Sequence, residues 1–234
     1  MNNIVHLCDC MDFMKDLLDK HYDLAIVDPP YGIGRDGYLC GKKNSKKWKN
    51  TIQKIYEKKD WDSISPGSAY FNELKRVAND LIVWGGNYFA DHLQSSSCWI
   101  VWDKKNEGTT MADCELAYTT FITATRKFSY MWSGFYKQKP ETRIHPTQKP
   151  IALYKWLLQN YAKPGWTIFD SHVGSGSLRI ACHDLGFDFE GCEIDKDYWE
   201  AQEARYKNHI KQDELFEKEE IQKMVYQGEL DITE

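Results

Sequence analysis

The chain is expected to fold as an α/β protein with a largely parallel sheet. Seven short runs of β-branched and aromatic residues, amphipathic segments between several of them, and a glycine turn joining one run directly to a helix carry that expectation. The runs fall at residues 4–8, 24–28, 81–84, 99–102, 116–122, 167–170 and 187–193. Helical spacing falls at 11–20, 70–79, 151–161, 178–185 and 198–211. Strands separated by helices favour parallel pairing, because a parallel neighbour needs a crossover long enough to hold a helix. The expectation is a mostly parallel seven-stranded sheet with helices on both faces. Such sheets bind ligands beyond the carboxyl ends of their strands. Those positions hold Asp9, Asp28, Gly85, Asp103, Asp170 and Glu193.

A chain of 234 residues with 42% apolar content can build a core without staples. No apolar run nears the roughly 20 residues of a bilayer span, and residues 1–20 lack a signal-peptide core, so no membrane partner and a cytoplasmic location are expected. The seven cysteines form no C-x-x-C pair and have no matching histidine pair, which favours reduced thiols and no metal. The net charge of −5 hides a segregation: residues 31–60 hold nine basic residues against three acidic ones, and residues 200–234 hold ten acids against five bases. The basic stretch suits either a solvated loop or a phosphate backbone. The expected organisation is a single domain over 1–211 with a lysine-rich insertion at 32–60, a short recognition segment at 123–144, and an acidic tail at 212–234.

Asp170 ends the run 167–170 and is followed by Ser171, His172, Val173, Gly174, Ser175, Gly176 and Ser177, then by a helical segment. Glycines at 174 and 176 let the backbone approach a ligand, and the helix start offers unpaired N–H groups. About twenty residues later Glu193 closes the next strand, where an acid can accept hydrogen bonds from both ribose hydroxyls. Nucleoside binding is the favoured reading. The literal G-x-G-x-x-G at Gly32, Gly34 and Gly37 is discarded, because a lysine-rich stretch stands where a helix should begin.

The strand at 24–28 runs into Asp28-Pro29-Pro30-Tyr31. Two prolines donate no backbone hydrogen bond and stiffen the turn, leaving the carbonyls of Asp28 and Pro29 free for a ligand. An exocyclic amine offers two N–H donors to such acceptors, and Tyr31 offers a ring for a base to stack on.

This corner resembles the catalytic motif of S-adenosylmethionine-dependent amino-methyltransferases of nucleic acid, and the Asp170–Ser177 loop resembles their methionine-side motif. His145-Pro146-Thr147-Gln148-Lys149-Pro150, Gly85-Gly86-Asn87-Tyr88 and Trp102-Asp103-Lys104 also fit. The catalytic corner precedes the cofactor loop, as in the permuted β group of DNA methyltransferases, many of them phage-borne. The family's loop usually reads Asp-Pro-Phe-x-Gly-Ser-Gly-Thr, so Ser171, His172 and Ser177 are departures. His172 is taken as a change of loop shape.

The resemblance implies a Rossmann-like methyltransferase fold and direct methyl transfer from S-adenosylmethionine to an exocyclic nitrogen of a base flipped out of double-stranded DNA. Asp28, Pro29, Pro30 and Tyr31 are then the catalytic residues. Asp9, Asp28, Lys149, Pro150, Asp170, His172, Gly174, Ser175, Gly176, Ser177, Glu193 and Ile194 face the cofactor, with Lys149 and Pro150 shaping the methionine pocket and Asp9 near the adenine. Lysines and arginine within 35–59 and the mixed segment 126–143 are the expected DNA contacts. The latter interleaves Arg126, Lys127, Lys137, Lys139 and Arg143 with Phe128, Tyr130, Trp132, Phe135 and Tyr136, some of which should pack on the core. Short recognition segments favour a small recognition region or a homodimer. Asp at the head of the corner favours adenine N6 over cytosine N4, the main alternative; RNA amino-methylation and a catalytically silent DNA-binding subunit are the others.

Overall fold

The computed structural model describes residues 2–34, 59–108, 112–133, 136–137 and 141–226. Most of the lysine-rich stretch (35–58), Phe135, Lys139 and the last residues of the acidic tail (227–234) lie outside the described residues. The chain builds one eight-stranded sheet from β1 (Asn3–Leu7), β2 (Tyr22–Val27), β3 (Ala78–Trp84), β4 (Trp99–Asp103), β5 (Cys114–Thr119), β6 (Arg126–Ser129), β9 (Thr167–Asp170) and β10 (Asp188–Glu193). Two-residue strands β7 (Trp132–Ser133) and β8 (Tyr136–Lys137) form a separate ribbon. The helices are α1 (Cys10–Met14), α2 (Ser68–Val77), α3 (Ile151–Tyr161), α4 (Ser177–Leu185) and α5 (Lys196–Tyr226).

The sheet order is β1-β10-β9-β2-β3-β5-β4-β6. The first five strands are mutually parallel, β5 runs antiparallel to both of its neighbours, and β6 is parallel to β4. The α/β expectation holds, with eight strands where seven were expected. The additional strand is β6, an edge strand whose exposed Arg126 and Lys127 give it no buried run to read.

Alternation along the strands divides the core into two layers. Leu24 and Ile26 of β2 face Leu153 and Leu157 of α3 and Ala181 of α4, whereas Ala25 and Val27 face Met14 of α1 and Phe71 and Leu74 of α2. Each large apolar side chain buried in this way contributes about 1.5–3 kcal/mol. Helix α1 is shorter than the expected 11–20, because the Arg76 guanidinium takes the carbonyls of Met14 and Leu17, each at 2.7 Å, and Lys20 turns the chain with φ 57°. Helix α5 instead continues past residue 211 into the region expected as a tail. No helix among the described residues is long and apolar enough to cross a membrane.

Because β1, β10, β9, β2 and β3 are parallel neighbours, their carboxyl ends lie along one edge. Asp9, Glu193, Asp170, Asp28 and Gly85 therefore follow one another in space in an order the chain does not have.

Candidate active site

Asp28 leaves β2 with both carboxylate oxygens engaged. The Tyr31 hydroxyl donates to Oδ1 at 2.6 Å, and the Lys149 ammonium sits on Oδ2. The turn between them is fixed from a distance: buried Asp62 accepts from the backbone N–H groups of Tyr31 (2.7 Å) and Gly32 (2.9 Å) through one oxygen. Pro29 and Pro30 bring no N–H of their own, so this carboxylate clamps the first donors after the proline pair.

The Tyr31 ring stacks on half-exposed Tyr88, with centroids 4.9 Å apart and planes at 17°. It also packs against Gly85, which has φ +69°; a Cβ there would lie 2.3 Å from Tyr31 Cε1. The glycine is required twice, by its left-handed backbone and by the ring that fills its missing side chain. Burial first, then the charges of Asp28 and Glu115, hold the Tyr31 hydroxyl protonated far above its ordinary range.

The glycine loop is built on the neighbouring strand, with Leu24 and Ala25 of β2 paired to Ile168 and Phe169 of β9. Asp170 accepts from the His172 N–H at 3.0 Å, and the Gly174 N–H donates to Glu193 Oε2 at 2.8 Å. Glu193 Oε1 takes the Asp195 N–H at 2.9 Å, so this side chain joins the glycine loop to the end of β10. Gly174 and Gly176 have φ +52° and +71°, as the turn into α4 demands. From α5, Arg205 donates to the Ser175 carbonyl at 2.7 Å and to Ser177 Oγ at 2.9 Å, fastening the loop. Gly191 provides the close approach beneath it: a Cβ there would meet Val173 Cγ2 at 2.5 Å and the Asp170 carbonyl at 2.8 Å.

The loop's electrostatics are one-sided. Among the described residues neither Asp170 nor Glu193 forms an ion pair, although both are buried. Burial, with the charges of Asp28 and Glu193, pushes the Asp170 carboxyl up to about 8 against the pull of the His172 N–H. Burial also raises Glu193, against the N–H groups of Asp195 and Gly174. His172 is held neutral, its pKa lowered by burial to about 4, with Nδ1 2.8 Å from Ser171 Oγ, which also meets Tyr70 Oη at 2.7 Å. A loop edged by carboxylates and backbone N–H groups, where Arg205 binds the Ser175 carbonyl and Ser177 hydroxyl and neither carboxylate has an ion-pair partner among the described residues, suits a positively charged ligand that also carries hydroxyls.

The expected residues thus fall into two groups. Asp28, Pro29, Pro30 and Tyr31 form one corner; Asp170, His172, Gly174, Ser175, Gly176, Ser177 and Glu193 form the adjoining one, with exposed Ile194 just beyond. Lys149, expected at the methionine pocket, has its ammonium on Asp28, while Pro150 caps the start of α3. Asp9 caps α1 by accepting from the Met11 N–H at 2.7 Å. Of the expected DNA contacts, Lys59 is already committed to Asp195 (2.6 Å) and Asp197 (2.7 Å). Tyr130 and Trp132 are buried and Phe128 packs on the core; among the described side chains of that segment Arg126 and Lys127 are exposed, Lys127 lying 3.3 Å from Asp103. Sequence reasoning missed Asp62, Glu115, Arg205 and Gly191, which act on residues remote in the chain and carry no local motif.

The sequence profile of the DNA methylase family, covering N6 and N4 enzymes, matches residues 22–204. The Type II methyltransferase M.HpaI of Haemophilus parainfluenzae is 26% identical over 82% of this chain and 70% of its own length. Among solved structures, the M1.HpyAVI complex with SAM superposes with a TM-score of 0.53 at 18% identity, covering 86% of this chain and 98% of that one. The PvuII DNA methyltransferase, cytosine-N4-specific, reaches a TM-score of 0.58 at 11% identity over 88% of this chain and 86% of its own. At these identities the two structures speak for the fold.

Proposed function

The chain belongs to the DNA methylase family, and on that premise we propose that it transfers a methyl group from S-adenosylmethionine to the N6 amino group of adenine in DNA. The observation that carries this reading is the Asp28 carboxylate, held at a proline corner beside the Tyr31 ring and one strand from the glycine loop. S-adenosylmethionine supplies the methyl group on a sulfonium. Asp170 and Glu193, buried without an ion pair among the described residues, suit such a cationic ligand, with Glu193 placed for the ribose hydroxyls and the loop N–H groups for the methionine end.

The difficulty of the reaction lies in the amine, whose lone pair is delocalised into the ring. Asp28 Oδ1 and the Pro29 carbonyl accept hydrogen bonds from its two N–H groups and draw the nitrogen toward tetrahedral geometry; on gaining the methyl group the nitrogen sheds one proton to solvent, and the neutral thioether S-adenosylhomocysteine is the leaving group. Fixed polar contacts of this kind are each worth about 2.7–4 kcal/mol. Tyr31 stacks on the extruded base and offsets roughly 1–3 kcal/mol of the flipping cost. The Tyr31 hydroxyl now on Oδ1 marks where the amine hydrogen would bind and must yield that oxygen. Close alignment of nitrogen and methyl supplies much of the remaining acceleration.

The partner is double-stranded DNA, met by the basic residues of the 35–59 and 126–143 segments. The order of the motifs supports the permuted β-group arrangement, and a phage-like origin and a restriction-modification setting belong to the same proposal. Mass spectrometry of nucleosides, after incubating duplex DNA with the chain and S-adenosylmethionine, tests the reading. N6-methyladenine is expected. Methylcytosine without methyladenine would transfer the assignment to cytosine N4, and DNA binding without any methylation would leave a silent subunit.

A further inference from the structure

Behind the base corner runs a row of four alternating charges. Lys149 Nζ contacts Asp28 Oδ2 and lies 3.3 Å from Glu115 Oε2, and Glu115 Oε1 in turn takes the Lys104 ammonium. The four side chains come from four places: the end of β2, the segment leading into α3, the antiparallel strand β5, and the residue after β4. The Lys149 side chain is 4% exposed and lies over the rings of Trp84 (5.3 Å) and Tyr31 (5.8 Å), so its charge has little water to lean on.

The row is electrically balanced, two lysines against two carboxylates. Lys149 holds Oδ2, which leaves Oδ1, now taking the Tyr31 hydroxyl at 2.6 Å, as the oxygen for an incoming amine once that hydroxyl yields it. Without Glu115, two lysines would oppose one carboxylate beside a cationic methyl donor and an amine that gains positive charge. That imbalance opposes the reaction in a site poor in water.

We propose that Glu115 is a positioning residue for methyl transfer, which holds Lys149 against the Asp28 carboxylate and cancels the lysine's charge. The proposal rests on the methyl-transfer reading above. The groups facing Lys149 are Asp28 and Tyr31 from the end of β2, Glu115 from β5 and the Trp84 ring from β3, with the charge of Lys149 also felt at His145 and Asp170. Burial works against the lysine's charge, but Asp28 and Glu115 outweigh it and raise its pKa. Burial likewise works against Glu115, and Lys149 and Lys104 outweigh it and lower its pKa. Losing Glu115 removes one of the two anions that keep Lys149 charged, so the lysine should release its proton at lower pH.

The test is Glu115→Gln in the full chain, assayed for methyl transfer to duplex DNA across pH. Near neutral pH kcat should fall roughly tenfold, and it should climb again toward alkaline pH as Lys149 discharges, a rise absent from the unsubstituted protein. In a Lys149→Met background the same substitution should change kcat by less than about twofold, because the residue through which it acts is gone. If Glu115→Gln does not fold, Glu115→Asp, which draws the carboxylate back from Lys149, should show the same rise with pH. Nitrogen NMR of the lysine side chains reads the coupling without any methyl transfer: the Lys149 signal should titrate at lower pH in the variant. An unshifted signal, or full activity with an unchanged pH profile, overturns the inference. A shifted signal in a protein that methylates no DNA upholds the coupling and defeats the methyl-transfer reading instead.

Discussion

The two corners of the pocket sit on adjacent strands and are charged in opposite manners. At the Asp28 corner the carboxylate is matched by Lys149, Lys149 is matched by Glu115, and Glu115 in turn by Lys104. At the glycine loop Asp170 and Glu193 are buried without an ion pair among the described residues, and Asp170 is pushed up to about 8 by burial and by its acidic neighbours. A buried charge without a counter-ion is costly. The difference teaches that the first corner is balanced by the protein's own side chains, organised for orientation, while the second lacks, among the described residues, a positive partner that a cationic cofactor would bring. Binding and chemistry should therefore fail separately.

Asp28→Ala separates them most sharply. Methyl transfer should fall by roughly a thousandfold or more in a radiolabelled methyl assay, with cofactor affinity by calorimetry nearly unchanged. A large loss of affinity would mean the division is drawn in the wrong place. Gly85→Ala perturbs the same corner by steric means, since its Cβ would lie 2.3 Å from the Tyr31 ring at φ +69°. Displacing the stacking platform should cost about a hundredfold in kcat, again with cofactor binding retained.

Gly191→Ala strikes the other corner, where the new Cβ would meet Val173 and the Asp170 carbonyl. Cofactor affinity should drop about tenfold or more by calorimetry, while DNA binding by fluorescence anisotropy stays near its original value. Equal losses at both ligands would erase the distinction between the corners.

The smallest effect is on stability. Folded Asp170 keeps its proton to about pH 8, whereas in the unfolded chain it loses it near the ordinary aspartate value of 3.8. Between these limits the folded form binds more protons, so rising pH favours unfolding, and the penalty levels off above the folded value. The depressed pKa values of His145 (about 3) and His172 (about 4) act in the opposite sense, and only up to the ordinary histidine value of 6.5. From about pH 7 to about pH 9 the ligand-free melting temperature should therefore fall by a few degrees. Asp170→Asn or saturating S-adenosylmethionine should flatten that slope; a rise over the same interval would contradict the unbalanced corner.

What could be read from the chain was what is written locally. Two prolines after an aspartate and a glycine turn after a strand impose their geometry within a few residues, so the Asp28–Tyr31 corner and the Asp170–Ser177 loop are legible in the sequence. The supports were not, because they act across the fold: Asp62 lies 31 positions from the Tyr31 backbone it clamps, and Gly191 makes room for a loop on another strand. Lys149 stands in a recognisable segment, yet its partner was fixed by the crossing of β2 with the approach to α3, and Asp28 is 121 positions away. Strand β6 escaped for a different reason: as an edge strand with exposed basic residues it has no buried run.

The most direct test of the two-corner pocket is a crystal structure with S-adenosylhomocysteine, which keeps the cofactor's shape without its methyl group. The ribose hydroxyls should lie on Glu193, the methionine end on the Gly174–Gly176 backbone, and the sulfur should face the Asp28 carboxylate. A ligand seated away from the carboxyl ends of β2 and β9 would contradict it.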